Sequence, residues 1–108
     1  ATFIRADGTK TEIKPENRRG FTAETIRDLL CGSFQLLPLD SERTILMNAY
    51  ASKTRSPRND TATELFSRAL IYRRDPATEI RVLHGDILVA AYSELRLLEV
   101  FASALLVI

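Results

Sequence analysis

The chain has 108 residues, of which 45% are hydrophobic and 27% charged, with one cysteine and one histidine. This length suits one domain, and the composition is that of a globular chain rather than a disordered one. One His and one Cys exclude a structural zinc site within a single chain, and a lone Cys cannot form an internal disulfide. We therefore expect a single domain over 1–108, without a metal or other cofactor, in a reducing compartment.

The formal net charge of +1 is unevenly distributed along the sequence. Residues 1–50 balance seven cations against seven anions, 51–74 carry six cations against two anions, and 75–108 carry two cations against five anions. Such asymmetry is typical of a face that binds polyanions, and equally of two patches that pair within one molecule or between subunits. Twelve of the fifteen cations are arginine, which suits bidentate recognition of phosphate.

Neither end of the sequence has the pattern of an export or membrane signal. The opening ATFIRADGTK is charged and lacks the apolar length of a signal peptide. The closing LRLLEVFASALLVI is apolar but falls short of the about 20 residues that a transmembrane helix needs. We expect a cytoplasmic protein with no membrane contact.

Six short apolar runs predict strands. The first two form a hairpin within 2–14 that turns at Asp7-Gly8, because both turn positions tolerate positive φ. Two more follow at 33–39 and 43–50, and Pro38 places the first of these at a sheet edge or a bulge. The last two, 78–83 and 86–91, form a pair around His84-Gly85, and the continuously apolar ILVAA is typical of a central strand.

Three segments show the helical spacing of apolar residues. The first, over 22–31, is capped by Thr22 and is followed by Gly32 as a left-handed C-cap. The second begins at Thr61, with Asn59 and Asp60 as its candidate caps, and stops near Tyr72. Ser93 caps the third, whose apolar residues are Leu97, Leu98, Phe101 and Leu105. The sequence thus predicts an α+β fold: a small, largely antiparallel sheet with two or three helices packed on it.

Residues with catalytic chemistry are sparse. The chain has four glycines and neither a Walker-type loop nor a GxGxxG motif. His84 precedes a glycine, and His tolerates left-handed backbone geometry, so we expect a turn residue rather than an acid or base. Cys31 is a poor nucleophile candidate at the negative end of its helix and is expected in the core. We therefore predict no catalytic residues and no enzyme.

Two basic loops form a candidate site for anions. Lys53, Arg55 and Arg58 precede the second helix, whose first N–H groups attract anions, and Arg18 and Arg19 form another basic spot. Asp60 would place a carboxylate where a phosphate should lie, so we favour a solvated loop ahead of a self-capped helix. Convergence of the two loops in the fold would favour the anion site.

The apolar end of the chain is a candidate interface. Its residues are Leu97, Phe101, Leu105 and Ile108. The stretch ALLVI is apolar on all sides, which indicates either burial in a groove or a subunit contact. Because chain ends usually lie at the surface, we favour the contact.

Three stretches together resemble a family of short proteins from bacteriophages, plasmids and bacterial genomes, catalogued as a domain of unknown function. TEIKPENRRGFTAETIRDLLCGSFQLLPL resembles the family's opening pattern at Ile13, Pro15, Asn17, Phe21, Thr22 and Gly32. NDTATELF resembles its alanine-threonine helix at Asn59, Ala62, Thr63 and Leu65, and HGDILVAA its glycine-aspartate strand at Gly85, Asp86, Ile87 and Val89. The departures are Arg18 in place of a glycine, a longer loop before the second helix, and the C-terminal helix.

The resemblance covers about residues 3–92 and implies a mobile-element accessory protein without an assigned catalytic activity. It divides the domain into a family-like core over 1–92 and a C-terminal helix over 93–108 as the oligomer contact. We expect a non-enzymatic module that binds a protein partner, such as a host protein, and forms a homo-oligomer. The alternative is binding of a phosphate-rich ligand, nucleotide or nucleic acid, through the Arg/Lys loops.

Overall fold

The computed structural model describes residues 1–16, 18–51, 56–73 and 82–104, and in 70–73 only the backbone. Its elements, in chain order, are β1 (Thr2–Ile4), β2 (Lys10–Glu12), α1 (Ala23–Leu30), β3 (Phe34–Pro38), β4 (Arg43–Asn48), α2 (Asp60–Arg73), β5 (Ile87–Ala91) and α3 (Leu97–Ser103). A short 3-10 turn at Tyr92–Glu94 joins β5 to α3. Within the described residues, no helix has the length and apolar character to cross a membrane.

The five strands form one sheet in the order β2-β1-β5-β4-β3, in which every neighbouring pair is antiparallel. The predicted α+β fold with a largely antiparallel sheet is confirmed. The hairpin at Asp7-Gly8 is confirmed as β1–β2, and β3 and β4 also form on the predicted segments. The continuously apolar β5 is the central strand, as its sequence predicts, because its residues are covered on both faces.

Helices cover both faces of the sheet and create two cores. Side chains alternate along a strand, so Leu88 and Ala90 of β5 face one core while Ile87 and Val89 face the other. The first core joins the sheet to α1 and α3; its largest buried residues include Phe34, Ile26 and Val100. The second joins the sheet to α2 through Ala62 and Phe66, which are fully buried.

The predicted pairing of 78–83 with 86–91 is wrong. Both edges of β5 are already occupied, by β1 on one side and β4 on the other, so no third strand can pair with it. Residues 78–81 lie outside the described residues, and Val82 and Leu83 are not in a strand. His84 instead forms an isolated antiparallel bridge with Arg58.

Helix α1 begins as predicted and ends differently. The Thr22 hydroxyl accepts a hydrogen bond from the backbone N–H of Thr25 at 3.1 Å, which confirms the cap. The left-handed residue that ends the helix is Cys31, at φ 61°, and not Gly32 as predicted. Cys31 is also exposed rather than in the core, because the chain turns away from the sheet one residue after the buried Leu30.

Helix α3 lacks the predicted Ser93 cap. The helix starts at Leu97, after Arg96, and Ser93 belongs to the preceding 3-10 turn. The side chain that closes this turn is Glu94, whose carboxylate accepts from the backbone N–H of Ala91 at 3.1 Å. The helical signal in the sequence was therefore correct, while the helix starts three residues later than a Ser93 cap requires.

Strand β3 is an outermost strand, as Pro38 predicts. Pro38 lies opposite Thr44, and in the next pair the N–H of Leu39 donates to the carbonyl of Arg43. Because hydrogen-bonded pairs alternate along antiparallel strands, the backbone nitrogen of Pro38 faces the open edge of the sheet. The missing N–H of this proline therefore costs the sheet no hydrogen bond.

Asp40 orders the turn between β3 and β4 and gives it an acid-sensitive contact. Its carboxylate accepts from the backbone N–H groups of Glu42, at 2.9 Å, and Arg43, at 2.8 Å. The N–H of Glu42, together with Arg43, holds the pKa of the Asp40 carboxyl below its ordinary value. With the folded-state pKa lowered, ionised Asp40 stabilises the fold above the ordinary carboxyl pKa of about 3.9. That contribution is lost as the pH falls through the folded-state value.

We therefore expect the substitution Asp40→Asn to lower the melting temperature at neutral pH, with the difference from wild type shrinking in acid. Thermal melts over a pH series would measure this. The effect should be small because the turn is exposed and its charges are screened by solvent. The matched control is Asp28→Asn, an exposed carboxylate of α1. A difference at Asp40 that stays constant with pH would contradict the role of its charge.

Candidate interaction surface

Helix α3 presents large apolar side chains to solvent. Leu98 is 90% exposed, Phe101 50% and Leu97 38%, whereas Val100 is fully buried against the first core. The spacing explains this division: positions 97, 98 and 101 share one side of a helix, and position 100 points to another. Val100 thus fixes α3 to the domain, while Leu98 remains almost fully exposed and Leu97 and Phe101 partly exposed. We call Leu97, Leu98 and Phe101 the α3 face.

Charged residues of both signs surround the α3 face. Arg19, Arg96 and Glu99, with Leu95, Leu97 and Leu98, line a shallow depression of ≈ 460 Å³. The Arg96 Nε lies 3.4 Å from the Glu99 carboxylate. The Tyr92 ring is packed near Phe101, with ring centroids 6.3 Å apart. An apolar centre with aromatic residues and a polar rim is the usual composition of a protein interface.

The two predicted basic loops lie at opposite ends of β5, as far as their residues are described. Arg18 and Arg19 precede Phe21, whose N–H donates to the carbonyl of Glu94 just after the strand. Arg58 bridges to His84 just before the strand. A strand of five residues spans about 13 Å between its end Cα atoms. Arg18 and Arg19 therefore do not converge with Arg58. Lys53 and Arg55 lie outside the described residues.

At the N-termini of α1 and α2, the helices next to the two basic loops, a backbone N–H group already donates to a side-chain oxygen. At α1, the backbone N–H of Ala23 donates to the Glu99 carboxylate of α3 at 3.1 Å. At α2, the Asn59 side-chain oxygen accepts from the N–H of Ala62 at 3.0 Å, so Asn59 is the cap and Asp60 the first helical residue. Asp60 lies 3.6 Å from Arg58. These oxygens occupy N–H groups that a bound anion would otherwise use.

Asn59 has a wider role than the sequence indicates. Its side chain is fully buried, and its amide nitrogen donates to the carbonyls of Ile4 and Gly85, each at 2.9 Å. The same side chain therefore caps α2 and ties it to the end of β1 and to the turn before β5. A cap was predictable from the asparagine ahead of a helical pattern, but its partners 55 and 26 residues away were not.

The side chains of His84 and Asp86, on either side of Gly85, each contact the backbone of another segment. The His84 ring Nδ1 lies 3.0 Å from the carbonyl of Ser56, in the turn where Gly85 has φ 77°. Asp86 accepts from the backbone N–H of Ala6 at 3.1 Å. Across the described residues, no three His, Cys, Asp or Glu side chains are grouped to hold a metal ion. The contacts of His84 and Asp86 with backbone groups thus explain the positions of both side chains.

No protein-family model, curated protein or solved structure matches the chain. The resemblance to a phage and plasmid family stays a prediction. The residues of that pattern nevertheless have local structural roles, since Thr22 caps α1, Asn59 caps α2 and Gly85 takes a positive φ. Leu105 and Ile108, the other predicted interface residues, lie outside the described residues.

Proposed function

We propose that the protein is a non-enzymatic binding module that self-associates through the α3 face. The observation that carries the proposal is Leu98, which is 90% exposed on a helix that is itself anchored in the core. Fully burying one Leu or Phe contributes about 1.5–3 kcal/mol. A contact between two copies would cover Leu98 and the exposed parts of Leu97 and Phe101 on each copy, which favours association over solvent exposure.

The charges around the α3 face favour a second copy as the occupant. Arg96 and Glu99 lie three residues apart at the start of α3 and carry opposite charges. In a two-fold contact, each patch meets its own copy in reversed orientation, so an arginine of one copy lies near a glutamate of the other. A surface of a single sign would repel itself in this arrangement. The α3 face is therefore suited to pairing with itself.

The substitution Leu98→Asp tests this proposal, because it places a charge at the most exposed residue of the α3 face without disturbing a buried residue. Size-exclusion chromatography with light scattering should show an oligomer for wild type, at low and high salt, and a monomer for Leu98→Asp. The matched control is Val82→Asp, also at an exposed apolar residue (46%), which should remain an oligomer. A monomeric wild type, or a Leu98→Asp variant that still associates, would overturn the proposal.

The broader setting, a mobile-element accessory protein that also binds a host protein, rests on the family resemblance alone. The alternative is a phosphate-rich ligand held by Arg18, Arg19, Lys53, Arg55 and Arg58. It has less support because, of these residues, the described ones lie at opposite ends of β5. The two proposals differ in salt dependence. Binding led by phosphate contacts weakens steeply with added salt, whereas an apolar contact does not.

A further inference from the structure

A groove of ≈ 370 Å³ lies on the side of the sheet that carries α2. Strands β1, β2, β4 and β5 form its floor, and Leu65 of α2 forms one wall. We call it the α2 groove. The α3 face lies on the other side of the sheet, because α3 packs into the first core and α2 into the second. The two surfaces are therefore independent of each other.

Strand register explains which side chains line the α2 groove. Ile4 and Val89 belong to the core under α2, so their neighbours on the same face must point the same way. Lys10 lies opposite Ile4, and Thr2 lies opposite both Glu12 and Val89. The groove therefore has an apolar floor at its centre and charged residues along the edge strand β2.

Two cations, Lys10 and Arg43, line the α2 groove, and Lys10 is available to bind a ligand. Arg43 is already bound to Asp40, through one carboxylate oxygen at 2.9 and 3.0 Å. The Glu12 carboxylate accepts from the Thr2 hydroxyl at 2.6 Å. The side-chain ammonium of Lys10 forms no hydrogen bond or ion pair with any other described residue. An ammonium at the rim of an apolar groove attracts a ligand that carries negative charge beside an apolar body.

We propose that the α2 groove binds a small organic monoanion, a carboxylate with an apolar chain, whose charged group pairs with Lys10 and whose chain lies over Ile4, Val89 and Leu65. The volume is at the lower end of the range for small-molecule sites, which start at about 300 Å³. One available cation matches a single negative charge. A second negative charge would lie near Glu12, so a phosphate monoester with the same chain binds more weakly.

Octanoate is the probe, and octanamide is its uncharged counterpart. Chemical-shift titration of the ¹⁵N-labelled full chain should show octanoate shifting amides of β1, β2 and β5, with at least tenfold weaker binding of octanamide and weaker binding of octyl phosphate. The variant Lys10→Gln should reduce octanoate affinity about tenfold. Its matched control is Lys14→Gln, an exposed lysine outside the groove, which should bind as wild type does.

A second variant tests the apolar part of the site. Leu65→Trp should fill the groove and abolish octanoate binding, while Lys10→Gln, at an exposed residue, keeps the test valid if the tryptophan variant does not fold. The proposal is overturned if octanoate shifts no amide in wild type, if octanamide binds equally well, or if Lys14→Gln loses as much affinity as Lys10→Gln. None of these outcomes depends on self-association, which Leu98→Asp tests separately.

Discussion

Replacement of Asn59 by alanine is expected to destabilise the protein by about 3–5 kcal/mol. The buried side chain makes three hydrogen bonds, as donor to the carbonyls of Ile4 and Gly85 and as acceptor from the N–H of Ala62. Loss of a cap costs about 1 kcal/mol. The Ile4 and Gly85 carbonyls that lose their donor add about 1–2 kcal/mol each, since the bond to Gly85 is only partly buried. Urea denaturation, analysed for its midpoint and slope, would measure the change.

Two further variants separate the buried network from the cap. Asn59→Asp keeps the oxygen that accepts from Ala62 but loses both donors and places a carboxylate beside two carbonyls, so it should destabilise at least as much as alanine. Asn48→Ala is the matched control, because Asn48 makes similar bonds at a half-buried position. We expect it to cost about 1 kcal/mol. Equal losses at Asn48 and Asn59 would contradict the importance of burial.

Gly20→Ala is expected to cost about 3–4 kcal/mol. Gly20 has φ 96°, and a Cβ on it would lie 2.4 Å from the carbonyl oxygen of Glu94, which is backbone and cannot rotate away. The neighbouring Phe21 donates to that same carbonyl at 2.7 Å, and the N–H of Arg96 donates back to Phe21 at 3.1 Å. Relieving the clash would pull these segments apart, so lost hydrogen bonds add to the backbone strain.

Gly8→Ala is the matched control for Gly20→Ala. Gly8 has nearly the same φ, 93°, but an added Cβ would find its nearest neighbour at 3.5 Å, an ordinary contact. Conformational strain alone should cost about 1 kcal/mol. The difference between the two variants in urea denaturation then isolates the close approach of the segments around Gly20 and Glu94. Similar losses in both variants would show that strain, and not the clash, dominates.

Local patterns in the sequence predicted most of the fold. The Asp7-Gly8 turn, the Thr22 cap and the apolar run of β5 each depend on residues close in sequence, and the structure has all three. The edge position of β3 also followed from a single residue, Pro38, because proline lacks the N–H that an inner strand must donate. These are the features for which sequence spacing and side-chain chemistry are sufficient.

Contacts between distant segments were not predictable in the same way. Nothing near Glu99 in the sequence indicates that its carboxylate binds the first turn of α1, and nothing near Asn59 indicates its bond to Gly85. The partners of β5 were mistaken for the same reason, since a turn at His84-Gly85 favours a local hairpin while the fold pairs this strand with β1 and β4. The exposure of Leu98 likewise depends on where α3 docks.

The central position of β5 has a consequence for folding. In the described sheet, hairpins β1–β2 and β3–β4 pair with opposite edges of β5. Thr2 pairs with Glu12 within its own hairpin, but its partner on the other side is Val89. Each hairpin forms from neighbouring residues, but their union requires a segment near the far end of the chain. Folding rates fall as contacts become more distant in sequence. During synthesis, the five-stranded sheet therefore cannot be completed until β5 has been made.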